Sequence, residues 1–257
     1  MKRFIISLIT AVAIPASVHA QTAHVSVSVW TVPADPAALI ENPNLVAQFQ
    51  SVVDAGADRI YSARLSENGV ANITFYPLND ALDGVLEQTA ALRAGAASAP
   101  GFELLTVLEG PALTQIDATP STTNLGHVSN GSGAVRSTNG NCVLIAGETP
   151  SDPCPNAPEM SEFVSISVWN VPADPALLAQ DPALAGQLQS FVDIGADRLF
   201  PIRLSESSIA IMTFYTSDDA LEGVLEASRA ARAATAAATP GFELVEVYEA
   251  PVLFTAD

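Results

Sequence analysis

Basic residues are scarce in this chain. Ten lysines and arginines stand against 28 acids in 257 residues, a formal charge of −18, and Lys2 is the only lysine. A phosphate backbone needs a basic surface, so nucleic acid is excluded as a partner. Beyond Lys2 no amine is available for Schiff-base chemistry. Histidine is equally short, with three in all. No His pair has ligand spacing, so no metal site and no cofactor are expected. Two cysteines exclude a cysteine-rich scaffold. No apolar run reaches the roughly 20 residues of a membrane span. Nucleophile elbows, phosphate loops, dinucleotide fingerprints and calcium loops are absent. What is present is apolar character. At 49% hydrophobic residues, the chain is far from the composition of disorder and is long enough for one or two cored domains.

The N-terminus reads Met1-Lys2-Arg3, an apolar run from Phe4 to Ile14, then Ser17 to Ala20. That is the charge, apolar and small-residue order of a signal peptide over 1–20, with cleavage after Ala20. It predicts a soluble exported bacterial protein, periplasmic or secreted, with no membrane span. Such an acidic surface also repels anionic membranes. In that compartment Cys142 and Cys154 are expected to form a disulfide. Both lie in a Gly-, Ser-, Asn- and Pro-rich stretch over 115–162. A short hairpin is expected there from Val135 to Ile145, around Asn139-Gly140.

The rest of the chain is written twice. Val25–Ala37 returns as Val164–Ala176, Gly56–Arg59 as Gly195–Arg198, Arg64–Glu67 as Arg203–Glu206, Ala81–Glu87 as Ala220–Glu226, and Pro100–Leu104 as Pro240–Leu244. Two copies, 21–114 and 163–257, flank the linker 115–162. Within each, valines alternating with serines mark a first strand. Asn42-Pro43 and Asp181-Pro182 start a helix, which Gly56 and Gly195 stop. Arg59 to Leu65 and Val70 to Tyr76 form a hairpin. Asp80 is expected to cap a second helix with Leu82, Val85, Leu86 and Leu92 inward, and Phe102 to Glu109 is the last strand. This βαββαβ order is the ferredoxin-like unit, fold class α+β. Its sheet has helices on one face only. The bare faces of the two units are expected to pack on each other, as a closed barrel or a sandwich, giving a monomer with an internal pseudo-twofold.

With Val25, Val27 and Val29 assigned to the helix side, Ser26, Ser28 and Trp30 fall on the enclosed face, as do Ser165, Ser167 and Trp169. Asn72, Thr74 and Tyr76 join them, with Ile211, Thr213 and Tyr215 from the second copy. Such a lumen of small hydroxyls with aromatic ends suits a small apolar or aromatic molecule with a few polar handles; serines and tryptophans packing on their symmetry partners would instead leave no cavity. Arg59, Arg64, Arg198 and Arg203 read either as an anion clamp or as ion pairs to nearby acids such as Asp58, Glu67, Asp197 and Glu206. Many acids compete for them, which favours ion pairs. Asp35 and Asp174, between prolines, read as turn residues.

Phe75-Tyr76 ahead of Asp80-Ala81-Leu82, the Pro100-Gly101-Phe102 entry to the last strand and the element order together resemble the dimeric α+β barrel superfamily, including antibiotic-biosynthesis-monooxygenase-like proteins. The resemblance spans both copies. It implies an enzyme that oxidises quinol-like or polyketide aromatics without a metal, with Trp30, Asn72, Tyr76 or their second-copy equivalents at the site. Of the Trp, Asn and His set of haem-degrading relatives, Trp30 and Asn72 are present and no histidine stands at a matching helix position. Two function classes therefore stand. One is a non-catalytic exported protein that binds a small hydrophobic or aromatic ligand between its sheets. The alternative is a cofactor-free monooxygenase. The absence of an evident acid–base pair or nucleophile favours the first.

Overall fold

A computed structural model describes residues 23–118, 133–138, 141–146 and 162–257. The signal-peptide reading over 1–20 and Cys154, and with it the disulfide to Cys142, lie outside the described residues. The elements of the first half are β1 (Ala23–Thr31), α1 (Pro36–Leu39), α2 (Pro43–Asp54), β2 (Arg59–Arg64), β3 (Gly69–Pro77), α3 (Leu82–Ala97) and β4 (Glu103–Pro111). Then come β5 (Ile116–Asp117) and the paired strands β6 (Gly133–Thr138) and β7 (Asn141–Ala146), which form a small antiparallel sheet of their own. The second half repeats the first as β8 (Glu162–Asn170), α4 (Pro175–Leu178), α5 (Pro182–Ile194), β9 (Arg198–Ser205), β10 (Ser208–Thr216), α6 (Leu221–Ala238) and β11 (Glu243–Ala256).

Local chemistry sets most of these boundaries. The Asn42 and Asp181 side chains accept from Asn44 N and Ala183 N, and proline fills the first helical position of α2 and α5, where its missing N–H is harmless. Asp35 and Asp174 are caps rather than plain turn residues. Each accepts from the backbone two residues on and starts the one-turn helices α1 and α4. Asp80 does not cap α3. Asn79 Oδ1 takes the Ala81 N–H at 2.9 Å instead, because the chain reaches its Asx turn one residue earlier. Leu92 is 40% exposed, and Val85 holds the helix down, with Leu82 and Leu86 beside it.

All strands of the main sheet are antiparallel, in the order β4-β1-β3-β2-β11-β8-β10-β9-β5. The order β4-β1-β3-β2 of the first half recurs as β11-β8-β10-β9. β11 leaves β8 at Pro251 and continues along β2 from Val252 to Ala256. The chain after β4 makes the matching move. Ala112 bridges Ile202, Leu113 N donates to Pro201 O at 2.8 Å, and β5 pairs with β9. The sheet therefore curls until its two ends meet, and the chain has a mixed α+β architecture with helices outside. Among the described residues no helix is long and apolar enough to cross a membrane.

The curled sheet encloses one core drawn from both halves. Val25, Val27, Val29, Ala71, Ile73 and Phe75 face Val164, Ile166, Val168, Ala210, Met212 and Phe214. Phe75 and Phe200 meet edge to face with centroids 5.1 Å apart, and Tyr61 lies 5.0 Å from Phe214. The lumen is thus filled with hydrocarbon. The expected side assignment is reversed: the valines point into the enclosure, and the serines and tryptophans point at the helices. The enclosure excludes water from every direction and takes the fully apolar row. Helices bring arginines that satisfy hydroxyls, so the helix side tolerates serine.

The seam between β4 and β9 requires glycine. A Cβ on Gly110 would land on the Arg203 carbonyl, whereas the equivalent position at the other seam carries Ala250, which is fully buried. Gly110→Ala should cost about 3 kcal/mol, the upper range of overpacking, in urea unfolding followed by circular dichroism. A change under about 0.5 kcal/mol, the scale of surface substitutions, would show that the seam is not so close.

Candidate functional site: the layer between sheet and helices

Each half places its serine row under the longer of its helices. Arg93 on α3 donates to Ser26 Oγ at 2.7 Å and to Glu109 at 3.3 Å. Arg232 on α6 repeats this with Ser165 at 3.1 Å and with Glu249, and is 5% exposed. Ser26 and Ser165 are therefore engaged by guanidinium groups and are not open to a ligand. Tyr215 OH donates to Ser228 Oγ at 3.2 Å. Tyr76 OH, its counterpart, is buried without a partner among the described residues, because Thr89, which stands where Ser228 does, donates to Val85 O instead. Thr74 and Thr213 are buried on the same side. Sequence reasoning missed Arg93, Arg232, Glu109 and Glu249, although all four recur between copies; that recurrence was the signal.

The four arginines read as a clamp or as ion pairs hold carboxylates of the chain itself, as the ion-pair reading has it. Arg64 grips Asp35 with Nε and an Nη at 3.0 and 2.6 Å, and Arg203 grips Asp174 at 2.7 and 2.8 Å. Arg59 pairs with Asp257 and Arg198 with Glu162, and both donate to the Tyr61 hydroxyl. The acids nearest in sequence, Asp58, Glu67, Asp197 and Glu206, are not the partners in these pairs. A bidentate fork needs a carboxylate facing it across the strand ends, and the capping aspartates supply one. The Arg203 guanidinium, helped by the Ala176 N–H, holds the Asp174 carboxyl down at about 2. These forks fasten the α1 and α4 loops to the sheet.

The α4 loop frames a cleft of about 40 Å³ in the second half. Its floor is Ser167, Trp169, Val171, Ile209 and Ile211; its walls are Leu178, Leu184, Gln187, Leu188, Phe191, Thr235 and Phe242. Gly241, at φ +83 and tucked under Pro172, turns the chain so that Phe242 reaches the cleft, a conformation that suits glycine. The Trp169 indole N–H donates to Ser167 Oγ at 3.0 Å, so the indole presents an apolar ring to the cleft with its own N–H already paired. No lining residue is an acid, a base or a thiol. Of the twelve positions expected to line a lumen, the cleft brings together Ser167, Trp169 and Ile211. Ser28, Trp30 and Asn72 occupy the equivalent positions in the first half, and Ser62 Oγ donates to Asn72 Oδ1 at 2.6 Å.

No family model and no curated protein matches the chain. Solved structures do. A proposed monooxygenase from Fusobacterium nucleatum superposes with a TM-score of 0.50 at 10% identity, over 92% of this chain and 95% of that one. The fold is ferredoxin-like α+β. A haem-binding protein from Thermus thermophilus gives a TM-score of 0.48 at 14% identity over 93% and 94% of the two chains. An anthrone oxidase-like protein gives 0.46 at 14% identity over 91% and 92%. These last two are too distant to inform the site.

Glu109 is the strongly perturbed acid of the first half. The His24 imidazole, its Nε2 3.8 Å away, acts with Ser26 and Arg93 to hold it down at about 2 against the burial that raises it. A carboxyl depressed on folding stabilises the protein above its unfolded value and loses that contribution as pH falls through its folded value. Stability should therefore drop between about pH 4.5 and 2, and Glu109→Gln should flatten that limb in urea unfolding at stepped pH. An identical acid limb in the variant would remove Glu109 from the account.

Proposed function

We propose that this chain is an exported protein in which two ferredoxin-like units, joined by the linker, close on each other as an intramolecular barrel. In this reading it holds a small apolar or aromatic molecule in the second-half cleft without transforming it. The carrying observation is the lining of that cleft: mostly aliphatic and aromatic walls, an internally paired Trp169, and no acid, base or thiol beside the Ser167 and Thr235 hydroxyls to activate them. Catalysis by proton transfer or covalent attack needs such a group within reach. The ligand site thereby moves from between the sheets, where side chains fill the space, to the helix side. The leader pattern supports export, and the crossing of β11 onto β2 supports the barrel. Haem does not fit here. The cleft, at about 40 Å³, has no histidine, cysteine, methionine or tyrosine to ligate iron.

A second reading is a cofactor-free oxygenase of the antibiotic-biosynthesis type. One observation favours it, the Trp169 indole on the floor of an apolar cleft, on the fold of a protein named as a proposed monooxygenase. Such an enzyme would oxidise a ring CH₂ beside a phenol to a carbonyl, with O₂ as oxidant and water as the other product.

Trp30→Phe leaves Trp169 as the sole indole. Titration with naphthalene should then change its emission saturably, and Ile211→Gln should weaken binding about tenfold or more, the scale of an unpaired amide in an apolar site. No saturable change in an intact fold contradicts the binding reading. Oxygen uptake with an anthrone, lost in Trp169→Phe, would establish the oxygenase instead.

A further inference from the structure

The second-half cleft has a short polar inventory. Only Ser167, Trp169, Gln187 and Thr235 among its lining residues carry a polar side-chain atom. The first two are used within the protein. The Trp169 indole N–H donates to Ser167 Oγ, and that hydroxyl donates in turn to the Ile211 carbonyl at 3.5 Å. Gln187 and Thr235 make no side-chain hydrogen bond among the described residues. Other glutamines of this region do: Gln180 donates to the Ala176 carbonyl and Gln189 to Asp193.

Thr235 is the more informative of the two. It interrupts the alanine run Ala233 to Ala238 of α6, where threonine is a poorer helix former than its neighbours. Inside a helix a threonine hydroxyl commonly turns back to the carbonyl four residues earlier, as Thr89 does to Val85 on α3. Thr235 makes no such bond among the described residues. It is half-buried and lines the cleft, and the equivalent position of α3 holds Ala96. Gln187, by contrast, is exposed and recurs as Gln48 in the first half, so it belongs to the repeat rather than to this cleft. At about 40 Å³ the cleft offers the space of only a few water molecules. A ligand seats one small ring there and lies within reach of the helices. No lining residue can pair a charge, and the net charge of −18 repels an anion. A threonine hydroxyl both donates and accepts, so it matches a neutral group that does the same.

We propose that Thr235 is the specificity-determining residue of the second-half cleft and selects a small apolar alcohol, its ring against Trp169, Phe191 and Phe242 and its hydroxyl hydrogen-bonded to Thr235. This inference rests on the cleft being a binding site, as proposed above, and adds the chemical class of what it holds. The apolar walls accept any ring of the right size; the threonine separates an alcohol from the hydrocarbon of the same shape.

The test is Trp169 emission in the Trp30→Phe protein, titrated with benzyl alcohol and with ethylbenzene. The two probes have nearly the same shape and differ in a hydroxyl against a methyl group. Both should change the emission saturably. Thr235→Val keeps the shape of the side chain and removes its hydroxyl. It should weaken benzyl alcohol about fivefold, the scale of one net hydrogen bond, and leave ethylbenzene as tight as before or tighter. Thr235→Ser should keep the original ratio of the two affinities. That ratio cancels any general loosening of the cleft, which would weaken both probes alike. Equal changes for the two probes in Thr235→Val, or no change in either, would overturn the proposal and leave the cleft standing as a hydrocarbon site. Thr235→Ser behaving as Thr235→Val would overturn it too. No saturable response to either probe would remove the cleft as a site, and this inference with it.

Discussion

Everything in this structure follows from one apolar volume that strands from both halves of a curled sheet must fill together. Val25, Val27 and Val29 of β1 and Val164, Ile166 and Val168 of β8 form opposite walls of it, with Phe75, Phe200 and Phe214 between. Each such side chain contributes roughly 1.5–3 kcal/mol on burial, and neither half closes that face alone. Once the valines point in, strict alternation sends every serine to the helices. The arginines of α3 and α6 then have hydroxyls and glutamates to meet, and whatever room remains for a ligand lies between sheet and helix.

The elements were legible in the sequence because their signals are local. Asn42-Pro43 and Asp181-Pro182 start their helices where expected, Ser66–Gly69 turns the hairpin, and the repeat gives each boundary twice. The face assignment was not legible. Alternation states that Val27 and Ser28 lie on opposite faces, but which of the two is covered by helices is a tertiary fact. The assumption that helices cover the more apolar face failed because the opposite half of the curled sheet covers a face more completely than α3 does, whose Leu92 is left 40% exposed. The arginine forks failed for a similar reason. Asp35 is far from Arg64 in sequence, and only the strand-to-helix loop brings them within 2.6 Å. The cleft needed α5, whose Leu184, Leu188 and Phe191 look in sequence like ordinary core.

The repeat within the sequence accounts for both the economy and the asymmetry of the site. Features kept in both copies, the Ser–Arg–Glu sets and the Asp–Arg forks, are scaffold. They satisfy buried polar groups and fix the loops. Features that differ, His24 against Phe163, Asn72 against Ile211, Gly110 against Ala250, are where one half departs from the other in packing or polarity. Two of the unpartnered buried atoms, His24 Nε2 and Tyr76 OH, cluster with Glu109 and Arg93 in the first half only.

The central claim is that the valine and phenylalanine rows of the two halves meet inside the sheet. Aromatic NOEs in selectively phenylalanine-labelled protein measure this directly. Phe75 ring protons should show strong NOEs to the ring of Phe200, whose centroid lies 5.1 Å away. NOEs from Phe75 to Val85 and Leu86 on α3, with none to Phe200, would place the helices on the other face and contradict the account.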